Sequence, residues 1–129
     1  VKEVTARGWV SGLGCLGEVP VVMWFDPRDP LVIHLQIISG VRVFSRELPR
    51  DLIGEALASG KVCGGAGVNV APYGPDWLSV AWPALRVQVP LWAVATIAAA
   101  ASRLVPDEYV QELVDAQIDN AISKIIGGP

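Results

Sequence analysis

The chain has 129 residues, 52% of them apolar and 18% charged, with 10 basic against 13 acidic side chains and a formal charge of −3. That length carries one domain, residues 1–129, with a substantial core, and the apolar share excludes intrinsic disorder. A pI near 5.0 is the wrong sign for affinity built on phosphate neutralisation, and the surplus of apolar side chains points to an oligomer or a partner-binding protein.

Residues 4–10 carry β-forming side chains with two interruptions and read as a weak edge strand, followed by SGLGCLG as a turn. VPVVMWF at 19–25 is an apolar, β-branched strand closed by DPRDP, where Pro27 and Pro30 fix φ and Asp26 and Asp29 supply turn hydrogen bonds. In LVIHLQII at 31–38, Leu31, Ile33, Leu35 and Ile37 share a face that must be buried, and Val32, His34, Gln36 and Ile38 share the other. Ser39-Gly40 then turns the chain into VRVF at 41–44, which completes an antiparallel meander. From Ser45 the apolar period changes: Leu48, Leu52, Ile53, Ala56 and Leu57 predict a helix over roughly 45–59, with Pro49 fitting best in its first turn, which moves the start toward Leu48, and Gly60 as its stop.

KVCGGAG reads as a flexible hairpin arm or loop, and three short alternating runs follow at 68–73, 77–82 and 84–89. After Pro90 a helix is predicted over LWAVATIAAAASRL, with Leu91, Val94, Ile97, Ala98 and Ala101 on one face. Pro106 ends it and opens a last helix, where Val110, Leu113, Val114, Ile118, Ala121, Ile122 and Ile125 form the apolar stripe. The expectation is an α+β domain of six or seven mostly antiparallel strands with one central and two carboxy-terminal helices.

Chemistry-bearing motifs are sparse. Gly12 to Gly17 matches GxGxxG, but a strand follows where a dinucleotide fold needs a helix. Cys15 and Cys63 are 48 residues apart and form no CxxC pair, which points to a reducing cytoplasm. His34 is the only histidine and lies inside an apolar strand pattern, so neither a metal-ligand spacing nor a nucleophile and base pair is expected. Catalytic, cofactor-binding and metal-binding residues are therefore expected to be none. The longest apolar stretch, Leu91 to Ala101, falls short of the ~20 residues that cross a bilayer. The five tryptophans suit a core or a subunit interface. Base stacking on them, as in a single-stranded nucleic-acid-binding module, is the alternative, and it lacks the basic residues that follow phosphates.

Charge concentrates in two places. Arg42, Arg46 and Arg50 cluster in sequence, with Arg46 and Arg50 one helical turn apart, and the last helix carries Glu112, Asp115 and Asp119 as an acidic stripe. These six are the candidate partner-binding residues, because rim charges orient partners while adding little affinity.

The order of pieces PVVMWFDPRDPLVIHLQI, VRVFSREL, GAGVNVAP and a helical segment beginning LVPDE resembles the SsgA-like sporulation and cell-division regulators of actinobacteria. Asp26 to Pro30 resembles the family's DPxDP-type turn, Val41 to Leu48 its strand-to-helix junction, and Gly65 to Pro72 its G-x-G-D-V-x-V-x-P strand. The likeness runs from about Pro20 to Ile125. Three features depart from it: the tryptophan of the junction is absent from Arg42 to Phe44, Val68 follows Gly67 without the acidic residue, and the segment Pro49 to Cys63 has an unusual proline and spacing. The resemblance implies a whirly-like fold, commonly a homotrimer. It also implies a non-enzymatic adaptor, cytoplasmic and at the division septum, with FtsZ or another SsgA-like protein as partner.

Overall fold

The computed structural model describes residues 2–65, 67–106, 108, 109, 112, 115 and 116. Eight antiparallel strands form one sheet: β1 (Lys2–Gly12), β2 (Cys15–Phe25), β3 (Val32–Ser39), β4 (Arg42–Pro49), β5 (Cys63–Gly65), β6 (Val68–Tyr73), β7 (Trp77–Trp82) and β8 (Leu85–Pro90). Helix α1 (Arg50–Ser59) follows β4 and α2 (Leu91–Leu104) follows β8. Beyond α2, Glu108, Tyr109, Glu112, Asp115 and Ala116 are helical.

The order β4-β3-β2-β1-β8-β7-β6-β5 is two four-strand meanders joined through β1 and β8, each meander ending in a helix. Both helices start directly after a strand-terminal proline, Pro49 or Pro90, at φ −58° and −60°. In each half the first helical amide donates to the carbonyl just before the third strand of that half. Arg50 N–H meets Leu31 O at 2.9 Å, and Leu91 N–H meets Asp76 O at 2.8 Å. The two halves thus repeat one device, a helix N-terminus satisfied by the preceding turn in place of a side-chain cap.

The sheet is curled. Trp82, at the end of β7, donates its indole Nε1–H to the Glu47 carbonyl of β4 at 3.0 Å, although four strands separate β4 from β7 in the order. The result is a half-barrel whose inner face carries Val10, Val21, Met23, Phe25, Ile33, Leu35, Ile37, Val70, Val80, Val87 and Val89, all buried. Helix α1 packs on β4, β5 and β6, and α2 on β1, β2, β7 and β8, and both complete that core. Leu52, Ile53 and Ala56 are buried from α1, and Ala93, Val94, Ile97, Ala100 and Ala101 from α2. The aliphatic face expected of 31–38 is the buried one.

Three expectations are corrected. Among the described residues the strand count is eight, not six or seven, because Cys63–Gly65, read as a hairpin arm or loop and left out of the count, pairs with Val68–Val70 as an edge strand. Residues 4–10 are no weak edge: β1 pairs with β2 along its whole length and with β8 on its other side. Gly8, which reads as an interruption, permits this, because a Cβ there would stand 2.7 Å from the Gln88 carbonyl and 2.9 Å from Val21 Cγ2. Helix α1 starts at Arg50, five residues after the period change at Ser45 and two after the Leu48 start that Pro49 suggests. Ser45–Pro49 instead pair with Val32–Gln36, since a residue before proline is pushed out of the α region and Leu48 reaches the core from a strand.

Candidate functional site

The curl leaves a groove of about 600 Å³ beside the β4 edge, lined among others by Trp24, His34, Gln36, Ser45, Glu47 and Trp82. Strand periodicity explains the lining: Trp24, His34 and Gln36 alternate with the buried Met23, Ile33, Leu35 and Ile37, so they point to the outer side. His34 is therefore not a core histidine. Its ring stacks on Trp24, its cross-strand partner, with centroids 5.3 Å apart and planes at 16°. Its Nε2 lies 3.3 Å from Asp29 Oδ2, and Glu47 stands opposite it in the β3–β4 register. One donor atom from each of Asp29, His34 and Glu47 falls within 4.8 Å of the others, a convergence hidden by their distance in sequence.

Asp29 sits in the β2–β3 turn, where the Asp26 side chain supplies a turn hydrogen bond as expected, while the Asp29 carboxylate faces His34 instead. Asp29 N–H donates to Asp26 O, and Arg28 N–H to Asp26 Oδ1, both at 2.9 Å. The Arg28 guanidinium also bonds both Asp26 carboxylate oxygens. That side-chain bond, followed by the Arg28 N–H bond, holds the Asp26 carboxyl below its ordinary value of 3.8.

The three arginines do not form one cluster. Arg50 is 6% exposed: its guanidinium donates to the Val105 carbonyl and, at 3.3 Å, to the Pro30 carbonyl, and lies 5.4 Å over the Phe25 ring. It ties the start of α1 to the β2–β3 turn and to the end of α2, and offers nothing to a partner. Arg46 lies on β4, half-buried beside the groove, with Nη1 donating to the Ser45 carbonyl at 2.8 Å. Arg42 is exposed, 4.9 Å over the Phe44 ring and 3.5 Å from Cys15 Sγ. Glu112 and Asp115 are exposed on helical residues, and Asp119 lies outside the described residues.

Arg42 brings together the tips of the β1–β2 and β3–β4 hairpins. Leu13 and Leu16 flank Cys15 on one, and Val41 and Val43 flank Arg42 on the other, all four exposed. The β1–β2 loop is Leu13-Gly14, with φ of 52° and 79°. Both signs suit a two-residue hairpin turn, but the first position favours Asn, Asp or Gly over leucine. GLGCLG is a hairpin, as the following strand implies. None of the five tryptophans is fully buried: Trp9, Trp77 and Trp92 are exposed, Trp24 and Trp82 half-buried, and Trp82 alone of these packs against the core cluster. Both cysteines are free thiols. Among the described residues no helix is long and apolar enough to cross a membrane.

No protein-family model matches the sequence, and no curated protein matches it. Solved structures do. One is SsgB, whose mutations correlate to longitudinal cell division during sporulation of Streptomyces coelicolor. It superposes with a TM-score of 0.67 at 18% identity, over 86% of this chain and 95% of that one. Another is an SsgA-like sporulation-specific cell division protein from Thermobifida fusca, with a TM-score of 0.68 at 15% identity, over 97% and 96%. The chain shares the SsgA-like fold.

Proposed function

We propose that the chain is a non-enzymatic adaptor in actinobacterial cell division or sporulation septation, acting by protein–protein recognition on division-machinery proteins such as FtsZ or another SsgA-like protein. The observation that carries this reading is the extent of the fold likeness, 97% of this chain on 96% of a sporulation-specific division protein. A match over whole chains includes the curled sheet and both helices, the parts that set the shape of every outer surface.

The surface supports the same reading. Leu13 is an apolar, exposed side chain at φ 52°, a conformation that costs an L-residue about 1 kcal/mol. The hairpin turn needs this conformation but not a leucine in it, whereas a docking contact would use the apolar side chain. Leu13, Leu16, Val41 and Val43 form the apolar part of the proposed partner surface and Arg42 its cationic rim. Arg46 belongs to the groove side, and Glu112 and Asp115, exposed on helical residues beyond α2, offer acidic groups away from the arginine sequence run. Self-association as a homotrimer would cover the exposed Trp9, Trp77 and Trp92, and the protein would act in the cytoplasm at the septum.

The test is cellular. The gene is deleted from its host, the chain is separately overproduced, and septa are counted along the cells. A change in septum number or placement supports the proposal, and unaltered septation in both strains opposes it.

A further inference from the structure

We propose that Asp29, His34 and Glu47 form a binding site for a divalent transition-metal cation of the zinc class, on the outer face of β3 and β4. The donors come from three places: the β2–β3 turn, the middle of β3 and the facing position of β4. Asp29 Oδ2 and His34 Nε2 are 3.3 Å apart, and two ligands bound at about 2.0 Å to one tetrahedral ion are separated by about 3.3 Å. Glu47 completes a set whose donor atoms all lie within 4.8 Å of one another. It is exposed and flexible enough to close the remaining distance.

The site is held ready before any ion arrives. The His34 side chain is 19% exposed, and its stacking on Trp24 fixes the ring plane with Nε2 toward Asp29. The Asp29 backbone is anchored by its hydrogen bond to Asp26 O, and the Glu47 backbone by the Trp82 indole. Such orientation of ligands by neighbouring groups is what metal sites use to hold geometry.

Charge favours occupation. One imidazole N–H can satisfy one acceptor, and Nε2 faces Asp29, yet a second carboxylate, Glu47, brings its oxygen within 4.8 Å of the other two donor atoms, and a doubly charged cation neutralises both. Arg46 lines the same groove, but its Nη1 is engaged by the Ser45 carbonyl. One nitrogen and two oxygens suit zinc, whereas calcium takes six to eight oxygens and magnesium keeps an octahedral oxygen shell. A zinc ion held by three protein ligands would take water in its fourth position. An ion here would staple the β2–β3 turn to β4, and Trp24 would report it.

The experiment uses the full chain without added histidines, stripped of metal and titrated with zinc chloride by calorimetry while tryptophan emission is followed. One ion per chain is expected, with a change in emission. Asp29→Asn, His34→Gln and Glu47→Gln should each weaken binding about tenfold or more, with circular dichroism confirming that each variant is folded. Should His34→Gln misfold, the exposed Glu47→Gln decides. A Cys15→Ser/Cys63→Ser double variant should bind as the parent does. Absence of saturable binding, equal binding by the three ligand variants, or loss of binding in the cysteine variant would each overturn the proposal.

Discussion

Replacing Arg50 by methionine keeps the length of the side chain and removes its charge and donors. Two carbonyls, Pro30 and Val105, lose a charged partner, and each such bond contributes roughly 1.5–3 kcal/mol net. The guanidinium over Phe25 adds about 1 kcal/mol. Against this stands the cost of burying a cation, which methionine relieves, so the net loss is about 3 kcal/mol. With an unfolding entropy of roughly 2.1 cal/mol/K per residue, that lowers the melting temperature by about 10 °C. Arg50→Lys recovers only part, because an ammonium cannot span both carbonyls as the planar fork does. The assay is thermal unfolding by circular dichroism, with Arg42→Met and Arg46→Met as exposed and half-buried comparisons expected to cost under about 0.5 kcal/mol. If Arg50→Met melts within about 2 °C of the parent, the clamp between α1, the β2–β3 turn and α2 does not hold the fold.

Leu13→Asn should raise stability by roughly 0.5–1 kcal/mol, since asparagine tolerates positive φ, while weakening partner binding; equilibrium denaturation and a binding titration read the two effects separately. At Gly12, φ is 118° and a Cβ would stand 2.1 Å from the Ala84 carbonyl, so Gly12→Ala should open the β1–β8 junction and lower the denaturation midpoint markedly. The Asp26 carboxyl, held below 3.8 by Arg28, contributes stability that is present above the unfolded-state value and is lost as pH falls through the folded one. Asp26→Asn should therefore flatten the stability profile below about pH 4 and leave it unchanged in shape near neutrality, as acid titrations followed by fluorescence would show.

Strand periodicity made the inner face readable in advance, because Ile33, Leu35 and Ile37 alternate with polar residues and DPRDP closes the preceding apolar run. The errors share a cause: each concerns a residue whose role is set by a distant segment. Gly8 looks like a break until the β8 backbone is laid against it. Ser45–Pro49 carries helical spacing, but β3 offers it a ladder and Pro49 constrains Leu48. Arg50 reads as half of an exposed pair, and becomes buried because the helix begins at it. The convergence of Asp29, His34 and Glu47 had one available signal. The loop of this hairpin is Gly40-Val41, one residue beyond the Ser39-Gly40 turn read from the sequence, and its register, continued three residues past Phe44, places Glu47 opposite His34. Placing the helix start at Ser45 removed that register from view.

Docking on a division protein is tested most directly by interferometry of the immobilised protein against purified FtsZ and, separately, against an SsgA-like protein. Saturable binding to one of them is predicted, weakened about tenfold or more, roughly 1.4 kcal/mol, by Arg42→Glu combined with Leu13→Asn. No binding to either at concentrations up to about 100 μM, or binding that the double substitution leaves intact, would contradict the account.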